Sequence, residues 1–324
     1  MDVDKKVVFI GGLPVNVYGL EFLAPPVNGT VPDVHVMIYL HGRTRSAMNE
    51  EPIVEIMYGN VRQYMTKDPQ GSKKDLLIAS FDQPNHGARM TDPLEQDGFD
   101  SGNKDILMDQ FAMMERGESD TKNVLDFLPA ILFPMDERQI TGWSVMGRSM
   151  GGHTSWRVLA ADPRVTVGVS CIGTPDYYNL MEGRAALNKV PLKPPSAPAS
   201  FVRLVNATGP VNTPYTSYNA TNPFWGKKIF AASGEKDPVV SFAYSRSFLE
   251  KLVLGPKDDP LTNESFMVYV QPSTKHQVTT EMLELAGRWV YRWGIAEQPT
   301  PLEPKLELRG LRVPGPPPRT LDIE

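Results

Sequence analysis

Cysteine is almost missing from this chain of 324 residues. Cys171 is the only one, so no disulfide can close within the chain. It lies in the apolar run 165–172 and reads as a small core residue, not a reactive thiol. Histidine is scarce too, with five in all, which leaves no ligand set for a metal centre and no sign of a cofactor. Neither charge sign dominates: 33 Lys and Arg stand against 38 Asp and Glu, a net charge of −5, so nucleic acid and anionic membrane are not expected partners. No apolar run is long enough to cross a bilayer. Residues 1–6 are charged and do not resemble a secretory signal, so a cytoplasmic location is expected, and the Asn-x-Ser/Thr matches at Asn28, Asn206, Asn219 and Asn263 read as chance. No internal repeat stands out.

What the chain does contain is an alternation of strand-like and helix-like patterns. Residues 7–10 and 15–20 form two strand-like runs around Gly11-Gly12-Leu13-Pro14, a hairpin signal. Strand-like runs follow at 36–40, 76–81, 139–146, 165–172, 228–232 and 265–270. Between them, Val124, Leu125, Leu128, Ile131 and Leu132 share one helical face. Val278, Met282, Leu285, Trp289 and Val290 recur at helix spacing near the end. Such alternation predicts an α/β fold: a doubly wound, mostly parallel sheet covered by helices on both faces. The length suffices for one large core, or for a core and a cap.

The densest signal is Gly147-Arg148-Ser149-Met150-Gly151-Gly152, placed between a strand-like run and a helix-like one at 153–161. The pattern G-x-S-x-G in this setting predicts a sharp strand-to-helix turn. The glycines there relieve backbone crowding, and Ser149 sits exposed at the positive end of a helix. A serine nucleophile needs a base and a group that orients it. After the 228–232 strand comes a loop with two acids, Glu235 and Asp237; after the 265–270 strand comes His276. The other histidines lie elsewhere: His35 in a strand, His153 in the helix after the serine, and His41 and His86 each before a glycine at an earlier strand end. Ser149, Asp237 and His276 therefore occur in an order that supports a triad, each just beyond a strand.

These residues carry a resemblance. The chain resembles the α/β-hydrolases, most of all the dienelactone-hydrolase and prolyl-oligopeptidase-like esterase branch, from about Val34 to Trp293. Besides the serine turn, the supporting marks are residues 36–44 with His41-Gly42, residues 80–89 with Asp82 and His86-Gly87, and Gly234-x-x-Asp237-x-x-Val240. One departure is Lys275 before His276, where the family often has glycine. The resemblance implies Asp237, not Glu235, as the acid. It also implies an oxyanion hole made by the backbone N–H groups of Met150 and Arg43. Asp82 and His86 read as loop-ordering residues; Arg43, Arg45 and Arg148 are open to either ion pairing or an anionic substrate.

The expected organisation is a first core segment over 1–174, a cap insertion over 175–227, a second core segment over 228–295 and a Pro-rich tail over 296–324. The tail is a candidate for a homo-oligomer contact. Tyr177, Tyr178 and Trp225 are the candidate substrate-binding residues of the cap. The function expected is a serine hydrolase cleaving an ester, thioester or lactone of a small-molecule substrate through an acyl-enzyme. Biosynthetic acyl transfer or cyclisation by the same triad, and a non-catalytic binding protein on the same fold, are the alternatives.

Overall fold

A computed structural model describes residues 3–26 and 29–296. Asn28 and the Pro-rich tail beyond Ala296 lie outside the described residues. The chain opens with β1 (Lys5–Ile10) and β2 (Leu13–Tyr18), an antiparallel pair. Its two-residue turn is Gly11-Gly12, with φ of 55° and 83°; both glycines supply the positive φ that a tight hairpin of this twist requires. Leu13 and Pro14, read from the sequence as part of the turn, belong to β2.

Then follow β3 (Asp33–Leu40), α1 (Glu51–Lys67), β4 (Lys74–Ser80), α2 (Ile106–Leu132), β5 (Ile140–Arg148), α3 (Met150–Ala161) and β6 (Val165–Cys171). The second half holds α4 (Tyr177–Leu187), α5 (Ala199–Thr208), β7 (Lys228–Gly234), α6 (Ala243–Leu249), α7 (Pro260–Glu264), β8 (Phe266–Gln271) and α8 (Thr280–Val290). A single sheet has the order β1-β2-β4-β3-β5-β6-β7-β8. Strands β3 to β8 are mutually parallel, and β2 runs against both its neighbours. The doubly wound, mostly parallel sheet expected from the alternation is the one observed.

The pleat explains the near-continuous apolar strands. Val36, Ile38 and Leu40 of β3 pack with Val124, Leu125 and Leu128 of α2, Trp156 and Leu159 of α3 and Phe248 of α6. Met37 and Tyr39, alternating with them, face Val54, Met57 and Val61 of α1 and Met282, Ala286 and Trp289 of α8. A central strand buried on both faces has no polar side to show, and residues 34–40 are essentially inaccessible. Helix α2 begins at Ile106, well before the periodic stretch at 121–132, and Ile131 of that stretch is 38% exposed instead of facing the core.

Between β6 and β7 the chain makes α4, α5 and irregular segments. Tyr177, Met181 and Ala185 of α4 and Val205 of α5 pack on Phe111, Met113 and Met114 of α2 and Met150 of α3. This third apolar cluster holds α4 and α5 beside the start of α3, where the carboxyl end of β5 delivers Ser149.

Candidate active site

Ser149 follows the last residue of β5 and precedes the first of α3, with φ of 53° and ψ of −113°. A non-glycine residue there is strained by about 1–3 kcal/mol, held by what surrounds it. Its amide donates to the Cys171 carbonyl (2.9 Å) and its carbonyl accepts from His153 (2.9 Å). The flanking glycines are required by close approach. A methyl at Gly147 would fall on the Gly151 carbonyl, and one at Gly151 on the Leu40 carbonyl. Below the turn, Arg148 pairs with buried Glu50, which also accepts from the Tyr39 hydroxyl at 2.5 Å. Arg148 is thus engaged by an acid of the first turns, and burial next to Glu50 raises Tyr39 well above a phenol's ordinary range.

The other two residues arrive from the ends of β7 and β8. His276 Nδ1 lies 2.7 Å from Asp237 Oδ2, and His276 Nε2 lies 2.9 Å from Ser149 Oγ. Asp237, fully enclosed at its side chain, uses Oδ1 to accept from the amides of Val239 (2.8 Å) and Val240 (2.9 Å). An acceptor-only carboxylate on Nδ1 fixes the proton there and leaves Nε2 free to accept from the serine hydroxyl. Glu235 turns elsewhere: its carboxylate accepts from the Ser273 amide at 2.8 Å. Gly234 lets the two loops meet, since a β carbon there would strike the carbonyls of Thr274 and Lys275. Lys275 does not need to be glycine, because the positive φ of this loop falls at Ser273.

Met150 is the first residue of α3, so its amide is one of the first-turn N–H groups that lie beyond the reach of intrahelical acceptors. Gly42 lies against the serine: a methyl on it would stand 3.6 Å from Ser149 Cβ and 3.5 Å from the Arg148 carbonyl. The strand-end loop that carries Arg43 is therefore beside Ser149. His41 clamps that loop, with Nδ1 on the Gly42 carbonyl (2.8 Å) and Nε2 accepting from the Gln83 amide (2.9 Å). Asp82 ties two loops through the amides of Ala47 and Ala88, each at 2.8 Å. His86 is buried against the His41 ring (centroids 5.1 Å apart) and donates to the Pro84 carbonyl; burial drops its pKa to about 4. Arg45 is exposed.

A cavity of about 240 Å³ opens one turn along α3 from Ser149, walled by Phe111, Met114, His153, Tyr177 and Tyr178. His153 Nδ1 lies 2.9 Å from the Thr174 amide nitrogen and 3.1 Å from the Thr174 carbonyl, and burial pushes its pKa down to about 3. Tyr177 is buried and donates to the carbonyls of Ile106 and Leu107 at 3.3 and 3.2 Å, whereas Tyr178 is half-exposed. Trp225 is not brought to this place. It precedes the amino end of β7, where Lys227 Nζ donates to the carbonyls of Asp162 and Val165 at the start of β6. The serine stands beyond the opposite end of the strands, about 20 Å away for a strand of this length. The segment from α4 onward must run back to that far end of the strands before β7 can begin.

Among the described residues no group of three or more His, Cys, Asp or Glu side chains is arranged to hold a metal ion, and no helix is long and apolar enough to cross a membrane. Sequence reasoning missed the His41–Gln83 clamp, the Glu50–Arg148 pair and an arginine from α4, Arg184, on the acid loop. Only Gly234, a glycine at a strand end, carried a local signal.

Compared with known proteins, the chain matches no family model and no curated protein sequence. Solved structures do match. The protein TT1662 of Thermus thermophilus superposes with a TM-score of 0.62 at 18% identity, over 90% of this chain and 98% of that one. The Pyrococcus furiosus esterase Pf2001 gives 0.51 at 19% identity, over 90% and 93%. Est1E of Butyrivibrio proteoclasticus, solved with ferulic acid bound, gives 0.51 at 13% identity, over 87% and 96%. The fold of this chain is that of the α/β-hydrolases.

Proposed function

We propose that the protein is a serine hydrolase that cleaves an ester, thioester or lactone of a small-molecule substrate. The observation that carries this reading is the continuous run of hydrogen-bond distances from Asp237 through His276 to Ser149. His276 Nε2 takes the hydroxyl proton as Ser149 Oγ attacks the carbonyl carbon, and Asp237 holds the tautomer and stabilises the imidazolium. The tetrahedral oxyanion is received by the Met150 and Arg43 amides at the positive end of α3. His276 then gives its proton to the leaving oxygen or sulfur, and water repeats the sequence on the acyl-enzyme. One of these structural neighbours, Pf2001, is named an esterase, which agrees with this chemistry.

Residues 175–227 act in this reading as a cap over a core formed by 1–174 and 228–295, and the cavity beside Tyr178 takes part of the substrate. A fluorophosphonate probe with peptide mapping tests the assignment: modification at Ser149, absent in Ser149→Ala, is expected, and modification at another serine overturns it.

A further inference from the structure

The inserted helix α4 reaches the acid loop through one side chain. Arg184 directs Nη2 and Nε at the Val239 carbonyl, at 2.7 and 3.2 Å. Val239 is also one of the two residues whose amides hold Asp237 Oδ1. The same residue therefore has its N–H on the acid and its C=O in the fork of an arginine. The fork fixes direction as well as distance, because both donors are coplanar and charge-assisted.

Arg184 has the features of a residue placed for this contact. No carboxylate pairs with it among the described residues, although Glu182 lies two positions away. A half-buried guanidinium held by a carbonyl gains less than one held by an acid, so ion pairing does not account for it. The helix that bears it is itself seated. Tyr244 of α6 packs so closely over Gly183 that a β carbon there would meet its hydroxyl, and Thr174 Oγ1 donates to the Tyr244 carbonyl at 3.2 Å.

We propose that Arg184 is a positioning residue, which locks the turn at 237–240 and thereby aims Asp237 at His276. The proposal rests on the hydrolase reading above. It makes the insertion part of the catalytic frame, because α4 also supplies Tyr177 and Tyr178 to the cavity wall.

Arg184→Lys and Arg184→Met, assayed on a small activated ester across pH, separate aim from charge. The groups around His276 and Arg184 are Asp237, His153, Arg43, Tyr177 and Tyr244. His153 is kept neutral over the assay range by burial, so it does not set the acid limb of kcat/KM. If the fork positions the acid, the lysine variant keeps the charge yet loses kcat by about tenfold to a hundredfold with KM little changed. Its acid limb also moves to lower pH, as a misaimed Asp237 stabilises the imidazolium less. If the arginine acts only by charge, the lysine variant equals wild type and the methionine variant shifts the limb upward; that result overturns the proposal. Should the methionine variant not fold, the lysine variant decides alone. Fluorophosphonate labelling of the wild type is run beside these assays. No labelling at Ser149 rejects the hydrolase reading itself, whereas labelling with an unaffected lysine variant rejects only the role of Arg184.

Discussion

Glu235 and Asp237 stand two residues apart in one loop and serve different partners: Asp237 meets His276 Nδ1 at 2.7 Å, while Glu235 accepts from the Ser273 amide at 2.8 Å. One carboxylate faces the imidazole and the other ties the acid loop to the histidine loop.

Asp237→Asn should therefore lower kcat by about 10⁴-fold, since an amide at that place favours the wrong tautomer. Glu235→Gln keeps an acceptor for the Ser273 amide and should cost less than about tenfold by the same comparison. Steady-state kinetics of the two variants check this, and the reverse ranking would move the acid to Glu235.

Ser149→Ala should lose on the order of 10⁵–10⁶ in kcat, and His276→Ala a similar amount, because triad members act as a unit. The double variant should be scarcely worse than either single one. Additive losses in a double-mutant cycle would count against a shared step.

Stability should fall as the solution is acidified below about pH 6.5. His35 and His153 are held near pKa 3 and His86 near 4, chiefly by burial. In the unfolded chain all three protonate near 6.5, so below that pH the unfolded state binds more protons than the folded one. Each histidine contributes a slope of up to about 1.4 kcal/mol per pH unit between its two pKa values, and none above 6.5. Urea unfolding of wild type and His35→Gln from pH 7.5 to 4.5 checks it; the variant should show the shallower dependence.

A chelator should leave turnover unchanged, because proton transfer and the oxyanion donors of the proposed mechanism require no Lewis acid. Activity that vanishes with chelator and returns with Zn²⁺ or Mn²⁺ would contradict that mechanism.

Tyr178→Ala should alter the ranking of kcat/KM among acetyl, butanoyl and octanoyl esters by roughly tenfold, the scale of one or two methylenes in a pocket. Trp225→Ala, at the far end of the strands, should leave that ranking intact. Tyr177→Phe should cost about 0.5–1.5 kcal/mol of stability through its lost hydrogen bonds. Parallel shifts of all three esters in Tyr178→Ala would mean that the residue only packs.

Much of this was legible in order and period. The serine turn, the hairpin and the helix after His276 each write their conformation into adjacent residues, through glycine placement or a 3.6-residue repeat. Helix α2 was legible only over its second half, since its first carries Gln110, Gly117 and Asp120 on buried positions and so breaks the apolar repeat. The partner of Arg148 is Glu50, far away in the chain, and nothing local announces it. Trp225 falls away from the serine for a topological reason: a connection between neighbouring parallel strands runs from their carboxyl ends back to their amino ends, and composition does not say which aromatic lies at which end.

Ser149, Asp237 and His276 lie in strand-end loops that are translated in that order, and among the described residues β8 pairs only with β7, at the sheet's margin. A growing chain can thus form the serine turn on β3, β5 and β6 long before His276 exists. With domains folding as they emerge, during synthesis at about 5–20 residues per second, Ser149 spends several seconds before His276 is made. On the proposed mechanism, a ribosome-bound chain cut short of β8 carries Ser149 without His276, so reactivity arrives with β8 and the loop after it.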